Sequence, residues 1–188
     1  QVTVLLKDYR DLSGQFDKLA SIEMVEAVGD KYLQGWFSDC SRLLKPDGCM
    51  AFQAITIQDQ HYRQALRDVD FIKRYIFPGS FIPSSTRLLE AATAGSDLRL
   101  LHMEDFGPHY AETLRRWQDK LYAQSGAHEA MGLPTEFLRM WDYYLSYCAG
   151  GFEERFLGVA QFLLRKPEAP TQALLGALQR HPVASSLS

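Results

Sequence analysis

The sequence predicts an α/β fold, a sheet with crossover helices, and three observations carry that reading. Short runs rich in β-branched and aromatic residues alternate with longer stretches whose apolar residues recur at helical spacing. Turn residues, Gly and Pro above all, punctuate the boundaries. The length of 188 residues, 46% of them hydrophobic, suits one substantial core better than two.

Five strands are predicted: VTVLL at 2–6, Phe16–Ile22, CMAFQAITI at 49–57, LRLLHMEDF at 98–106 and Leu157–Arg165. Between the second and third, Tyr32, Leu33, Trp36, Phe37, Cys40, Leu43 and Leu44 repeat as one face of a helix, which the turn KPDG at 45–48 ends. The stretch 59–92 then interrupts the alternation with two short helical segments and a Pro/Gly loop at 77–83. It restarts with Ser84 or Ser85 as N-cap. An insertion of this kind is expected to lie over a sheet edge as a lid. Residues 108–126 and 134–152 read as helices, the second rich in aromatics, and the residues after Lys166 as a loosely attached tail.

Composition removes several function classes. A formal charge of −3, from 20 basic and 23 acidic residues, gives no basic stripe for nucleic acid. Cys40, Cys49 and Cys148 have neither CxxC spacing nor the even number of a disulfide framework, so a reducing, cytoplasmic setting is expected. His61, His102, His109, His128 and His181 lack HxxxH or HxxH spacing, and no metal is predicted. No apolar run approaches the roughly 20 residues of a membrane span, so any membrane contact is expected to be peripheral. The chain opens on Gln1 and runs directly into VTVLL, which reads as a piece of something longer.

The segments DYRDL, FDKLASIEMVEAVG, LLKPDG, QAITI, FIKRYIFPGSFIPS, FGPHYAETLRRW and RMWDYYLSYCAGGF, in unbroken order over residues 2–166, resemble the C-terminal part of the cyclopropane-fatty-acyl-phospholipid synthase family. These are S-adenosylmethionine-dependent methyltransferases acting on double bonds of lipid acyl chains. The resemblance implies a class I methyltransferase, Rossmann-like sheet in the order 3-2-1-4-5-7-6. The five predicted strands would be strands 3 to 7, so that the sheet is incomplete, lacking strands 1 and 2, with an inserted helical lid. Residues 1–166 would form the C-terminal portion of a methyltransferase domain and 167–188 the tail. On this reading the fragment alone is expected to fold poorly and to be inactive.

Site residues follow from the same resemblance. S-adenosylmethionine is the implied methyl donor and bicarbonate the implied base, the latter held by Glu26, by Gln53 where bacterial enzymes of the family carry histidine, by the backbone N–H of Ile55 and by Tyr110. A glutamine amide donates to an anion but cannot carry charge or relay a proton as an imidazole does. Glu23, three residues before Glu26 and where many relatives carry glycine, reads as a local helix-start or cofactor-side residue. Tyr9 would pack on adenine with Asp8 or Arg10 at its polar edge, and Ser21 and Ile22, at the end of a strand, would line the methionine side. Phe71, Tyr75, Phe77, Phe81, Trp117, Trp141, Tyr143, Tyr144 and Tyr147 are mostly core, with some expected along an acyl channel; Lys73, Arg74, Arg115 and Arg116 are candidates for lipid phosphates.

The implied function is formation of cyclopropane fatty acids on phospholipid acyl chains at a membrane surface, with a homodimer left open. A methylene- or methyl-branching enzyme, a small-molecule C-methyltransferase and an inactive lipid-binding homologue are the alternatives.

Overall fold

The computed structural model describes residues 2–124 and 130–170. Four strands, β1 (Phe16–Ile22), β2 (Leu44–Ile57), β3 (Arg99–Asp105) and β4 (Leu157–Arg165), form one sheet in the order β1-β2-β4-β3. β1 and β2 are parallel, whereas β4 runs antiparallel to both β2 and β3. This is the 4-5-7-6 stretch of the expected order.

Among the described residues the helices are α1 (Leu33–Leu43), α2 (Asp59–Arg67), α3 (Ser85–Gly95), α4 (Gly107–Ala123) and α5 (Thr135–Glu153), with a π turn at Ile72–Ile76. Ser84 caps α3, its hydroxyl accepting from the Arg87 N–H at 3.3 Å. That hydroxyl satisfies one of the N–H groups a helix start leaves without a partner. Pro108 lies in the first turn of α4, where its missing N–H costs nothing.

Alternation along the strands divides the core between the two faces of the sheet. On one face Met50, Phe52 and Ala54 of β2 and Phe162 and Leu164 of β4 pack against Trp36, Phe37 and Cys40 of α1 and Leu88, Ala91 and Ala92 of α3. Phe52 and Phe162 are direct cross-strand partners, stacked with centroids 4.7 Å apart. On the other face Val159 meets Ala111 and Leu114 of α4 and Leu145, Ala149 and Phe152 of α5.

One predicted strand is absent. Residues 2–6 form no ladder, and Val2 and Val4 are each 89% exposed. A strand exists only where a neighbour accepts its backbone hydrogen bonds. In the expected order two strands lie between strand 3 and the strand now seen as β1, so no described strand can serve it. The KPDG turn is drawn into β2, where the pairing jumps from Phe16 with Leu44 to Lys18 with Cys49. The insertion packs against α5, through Phe71 on Tyr143 at 4.6 Å and Phe77 on Tyr144 at 6.0 Å between centroids.

Lys166, the last residue before the predicted tail, and Glu168 within it donate backbone hydrogen bonds to the carbonyls of Gly48 and Pro46. Residues 171–188, and the end of the predicted helix at Gly126, lie outside the described residues. Among the described residues no helix is long and apolar enough to cross a membrane.

Candidate active site

The carboxyl ends of β1 and β2 lie side by side because the two strands are parallel and Ile22 is in register with Gln53. The residue after Ile22 therefore emerges beside Gln53. That residue is Glu23, whose N–H donates to the Gln53 carbonyl at 2.9 Å and whose φ of 49° lies in the left-handed region. Few non-glycine residues adopt that conformation, and its cost is tolerated where the surroundings fix it. Here the turn throws the carboxylate across the strand ends.

Glu23 is met by two donors. The Gln53 amide Nε2 donates to Oε1 at 2.7 Å, and the Tyr110 hydroxyl, from the first turns of α4, donates to Oε2 at 2.9 Å. Gln161, opposite Gln53 on β4, donates to the Gln53 Oε1 at 3.1 Å, which leaves the amide NH₂ turned toward Glu23. The Tyr110 ring is fixed against Phe152 at 4.9 Å. Burial, with the Glu23 charge beside it, pushes the Tyr110 hydroxyl well above the usual tyrosine range, so it stays a donor at physiological pH.

Glu26 lies in a short 3₁₀ turn, Val25–Ala27, rather than in the first turn of a regular helix. Its Oε1 accepts from the Ile55 N–H at 2.7 Å, and its own carbonyl accepts from the N–H of Phe81 in the insertion. The other oxygen, Oε2, is buried with no partner. Burial pushes its pKa up to about 7; the Ile55 bond opposes that rise and the nearby Glu23 charge adds to it. A carboxyl poised near neutrality is suited to acid–base work.

Ile55 and Tyr110 also line an apolar cavity of about 540 Å³, whose wall includes Phe77, Tyr144, Cys148 and Phe156. Most drug-sized ligands occupy sites of roughly 300–1,000 Å³. Burial pushes Tyr144 and Cys148 up to about 12 each, so both present neutral groups to the cavity.

The predicted cofactor-side residues are placed separately. Tyr9 starts a 3₁₀ turn, Tyr9–Asp11, and rests half-buried against the core. Asp8 accepts from the backbone and guanidinium of Arg10, which holds its carboxyl down at about 2. Ser21 is half-buried at the end of β1, and Ile22 beside it is 64% exposed. Of the basic candidates, Arg115 is paired with Glu153 at 2.9 Å and Arg116 with Glu112 at 2.8 Å, while Lys73 donates to the carbonyls of Ala65 and Asp68. Among the described residues no group of three or more His, Cys, Asp or Glu is placed to hold a metal.

Thus Glu26, Gln53, Ile55 and Tyr110 do come together, and Glu23, which reads from the sequence as a local helix-start or cofactor-side residue, joins two of them. The register of β1 on β2 was the missing signal for Glu23. Only that pairing brings residue 23 to the donors of residues 53 and 110.

An open α/β sheet whose last strand inserts antiparallel, with polar residues gathered at its carboxyl edge, is the fold of S-adenosylmethionine-dependent methyltransferases. The profile of the mycolic acid cyclopropane synthetase family matches residues 1–162, and the chain belongs to that family. It is 35% identical over 170 residues to the tuberculostearic acid methyltransferase UfaA1 of Mycobacterium tuberculosis, covering 90% of this chain and 40% of that one. It is 33% identical over 165 residues to the cyclopropane-fatty-acyl-phospholipid synthase of Escherichia coli, covering 88% and 41%. The crystal structure of mycolic acid cyclopropane synthase CmaA1 complexed with SAH and CTAB superposes with a TM-score of 0.76 at 30% identity, covering 86% of this chain and 59% of that one. The chain therefore spans about two fifths of the length of these two curated relatives.

Proposed function

We propose that the protein carrying this chain transfers a methyl group from S-adenosylmethionine to the double bond of an unsaturated lipid acyl chain. The observation that carries this reading is the junction of an apolar cavity with a carboxyl-rich polar cluster, made by Ile55 and Tyr110, which belong to both. An acyl chain needs the cavity, and the proton released after methylation needs the cluster.

The exposed Ile22 beside Ser21 fits a methyl donor lying at the open end of β1, as does the Tyr9 ring beside the core. When bound, that donor supplies an electrophilic methyl on a sulfonium. Ser21 and Ile22 would hold its methionine side, and Tyr9, with Asp8 or Arg10, its adenine. The chain's own residues do the rest. The cavity excludes water from the cationic acyl carbon, and the faces of Phe77 and Tyr144 favour positive charge. Tyr110 and Gln53 hold the Glu23 carboxylate in place.

The product favoured is the cyclopropane chain, on phospholipids reached from a membrane surface in the cytoplasm. A methylene-branched product is the second reading, favoured by Gln53, which offers an amide where an imidazole would move protons. Lipids from cells expressing the protein would be examined by proton NMR. High-field ring methylene signals would support the first reading, vinylidene signals the second, and neither would reject both.

A further inference from the structure

The donors expected to hold bicarbonate are already engaged by the protein itself. Gln53 and Tyr110 both donate to Glu23, at 2.7 and 2.9 Å, and the Ile55 N–H donates to Glu26 at 2.7 Å. A bicarbonate ion at this place would compete for those same hydrogens. It would also face two carboxyl groups, and none of the salt bridges among the described residues brings Lys or Arg to either. The site does not fit the ion.

What it does fit is a carboxylate on a short tether. The two Glu23 oxygens accept from donors on two different elements, as the oxygens of a small planar anion would. The backbone that delivers it is held at φ 49°, a conformation that few non-glycine residues adopt. We propose that the Glu23 carboxylate occupies the anion position defined by Gln53 and Tyr110, so that the protein carries its own proton acceptor in place of bound bicarbonate.

The inference rests on the methyl-transfer reading. The alkene π pair forms the bond to the incoming methyl carbon while the sulfonium C–S pair stays on sulfur, which leaves the neighbouring acyl carbon cationic. Loss of one proton from the new methyl group lets its C–H pair close the ring. After a 1,2-hydride shift, the same loss gives a methylene branch. In both cases the proton passes to a Glu23 oxygen, turning the carboxylate into a carboxylic acid, and no oxidant or reductant is consumed.

The test combines binding with turnover. Titration of the protein with ¹³C-labelled bicarbonate, followed by NMR, should show no saturable binding, whereas Glu23→Gly should bind the ion and lose that binding when Tyr110→Phe is added. In bicarbonate-depleted buffer the otherwise unaltered protein that carries this chain should methylate an unsaturated acyl lipid at an unchanged rate. Glu23→Gly should be at least roughly tenfold slower there and recover when bicarbonate is restored. Glycine suits the backbone at position 23, and Glu23→Gln, which keeps the side-chain length, should be slow with or without the ion. Saturable bicarbonate binding by the unaltered protein, or turnover that collapses on depletion, overturns the proposal. Absence of any methylation rejects the methyl-transfer reading instead, and the binding titration then decides the role of Glu23 by itself.

Discussion

The Tyr110 hydroxyl and the Glu23 carboxylate, 87 residues apart in the chain, meet at 2.9 Å across the carboxyl edge of the sheet. This bond joins α4, which helps to wall the cavity, to the turn after β1. Removing its donor isolates the contribution of orientation. Tyr110→Phe keeps the ring against Phe152 and is expected to lower turnover roughly tenfold or more, with S-adenosylmethionine affinity unchanged. Steady-state kinetics beside calorimetric titration checks it; unaltered turnover would remove Tyr110 from the mechanism.

Glu26 should leave a signature in the pH dependence of stability. Its folded pKa, about 7, lies above the ordinary 4.5, so the native state binds the proton more tightly than the unfolded chain. Its favourable contribution is complete below pH 4.5, declines as pH rises, and is lost through pH 7. Linkage sets the ceiling at roughly 3 kcal/mol. Glu26→Gln, which mimics the protonated form, should flatten the fall in denaturation midpoint between those pH values; an identical slope in both proteins would exclude Glu26 as its source. The same substitution should cost roughly tenfold in turnover while sparing cofactor binding.

Gly95 closes α3 against α1. A Cβ built there would stand 2.2 Å from the Gln34 carbonyl oxygen, a backbone atom that cannot swing aside. Gly95→Ala is therefore expected to destabilise by about 1–3 kcal/mol despite alanine's higher helix propensity. Chemical denaturation would measure it, and a stabilised variant would contradict the packing.

Asp30 ties three segments together. It accepts from the Tyr62 hydroxyl on α2 at 2.5 Å and from the Arg87 Nε on α3 at 2.7 Å, while its own carbonyl takes a second Arg87 bond. Asp30→Ala strands both donors and should cost about 1–3 kcal/mol, more than Tyr62→Phe, which removes only one bond. Equal losses in a denaturant series would show that the arginine adds nothing.

Cys148 lines the cavity, and its half-buried thiol stays protonated. Cys148→Phe fills space without touching the polar cluster, so kcat/KM should fall for long acyl chains and hold for short ones. A uniform loss across chain lengths would mean that the acyl chain lies elsewhere.

Where the sequence was readable, local chemistry decided the outcome. Phe16–Ile22 and Leu157–Arg165 alternate or run apolar between turn residues, and both strands appear with those bounds. Ser84 was legible as a cap because its hydroxyl works within one turn. Residues 2–6 have the same β-forming composition yet no strand, since membership of a sheet depends on a partner that composition does not supply. Glu26, Gln53, Ile55 and Tyr110 could be named from the family resemblance. The position of Glu23 could not, because it depends on the Ile22–Gln53 register and on a left-handed backbone that no single residue type announces.

The place of β4 in the sheet has a temporal consequence during synthesis. β2 and β3 are not neighbours; each is hydrogen-bonded to β4, whose residues 157–165 are made after both. Until the ribosome has released that segment, β3 has no ladder to join and Phe52 lacks its stacking partner Phe162. The nascent chain must therefore hold β3 unpaired and β2 laddered on β1 alone, and the high sequence separation of the two missing pairings slows their closure.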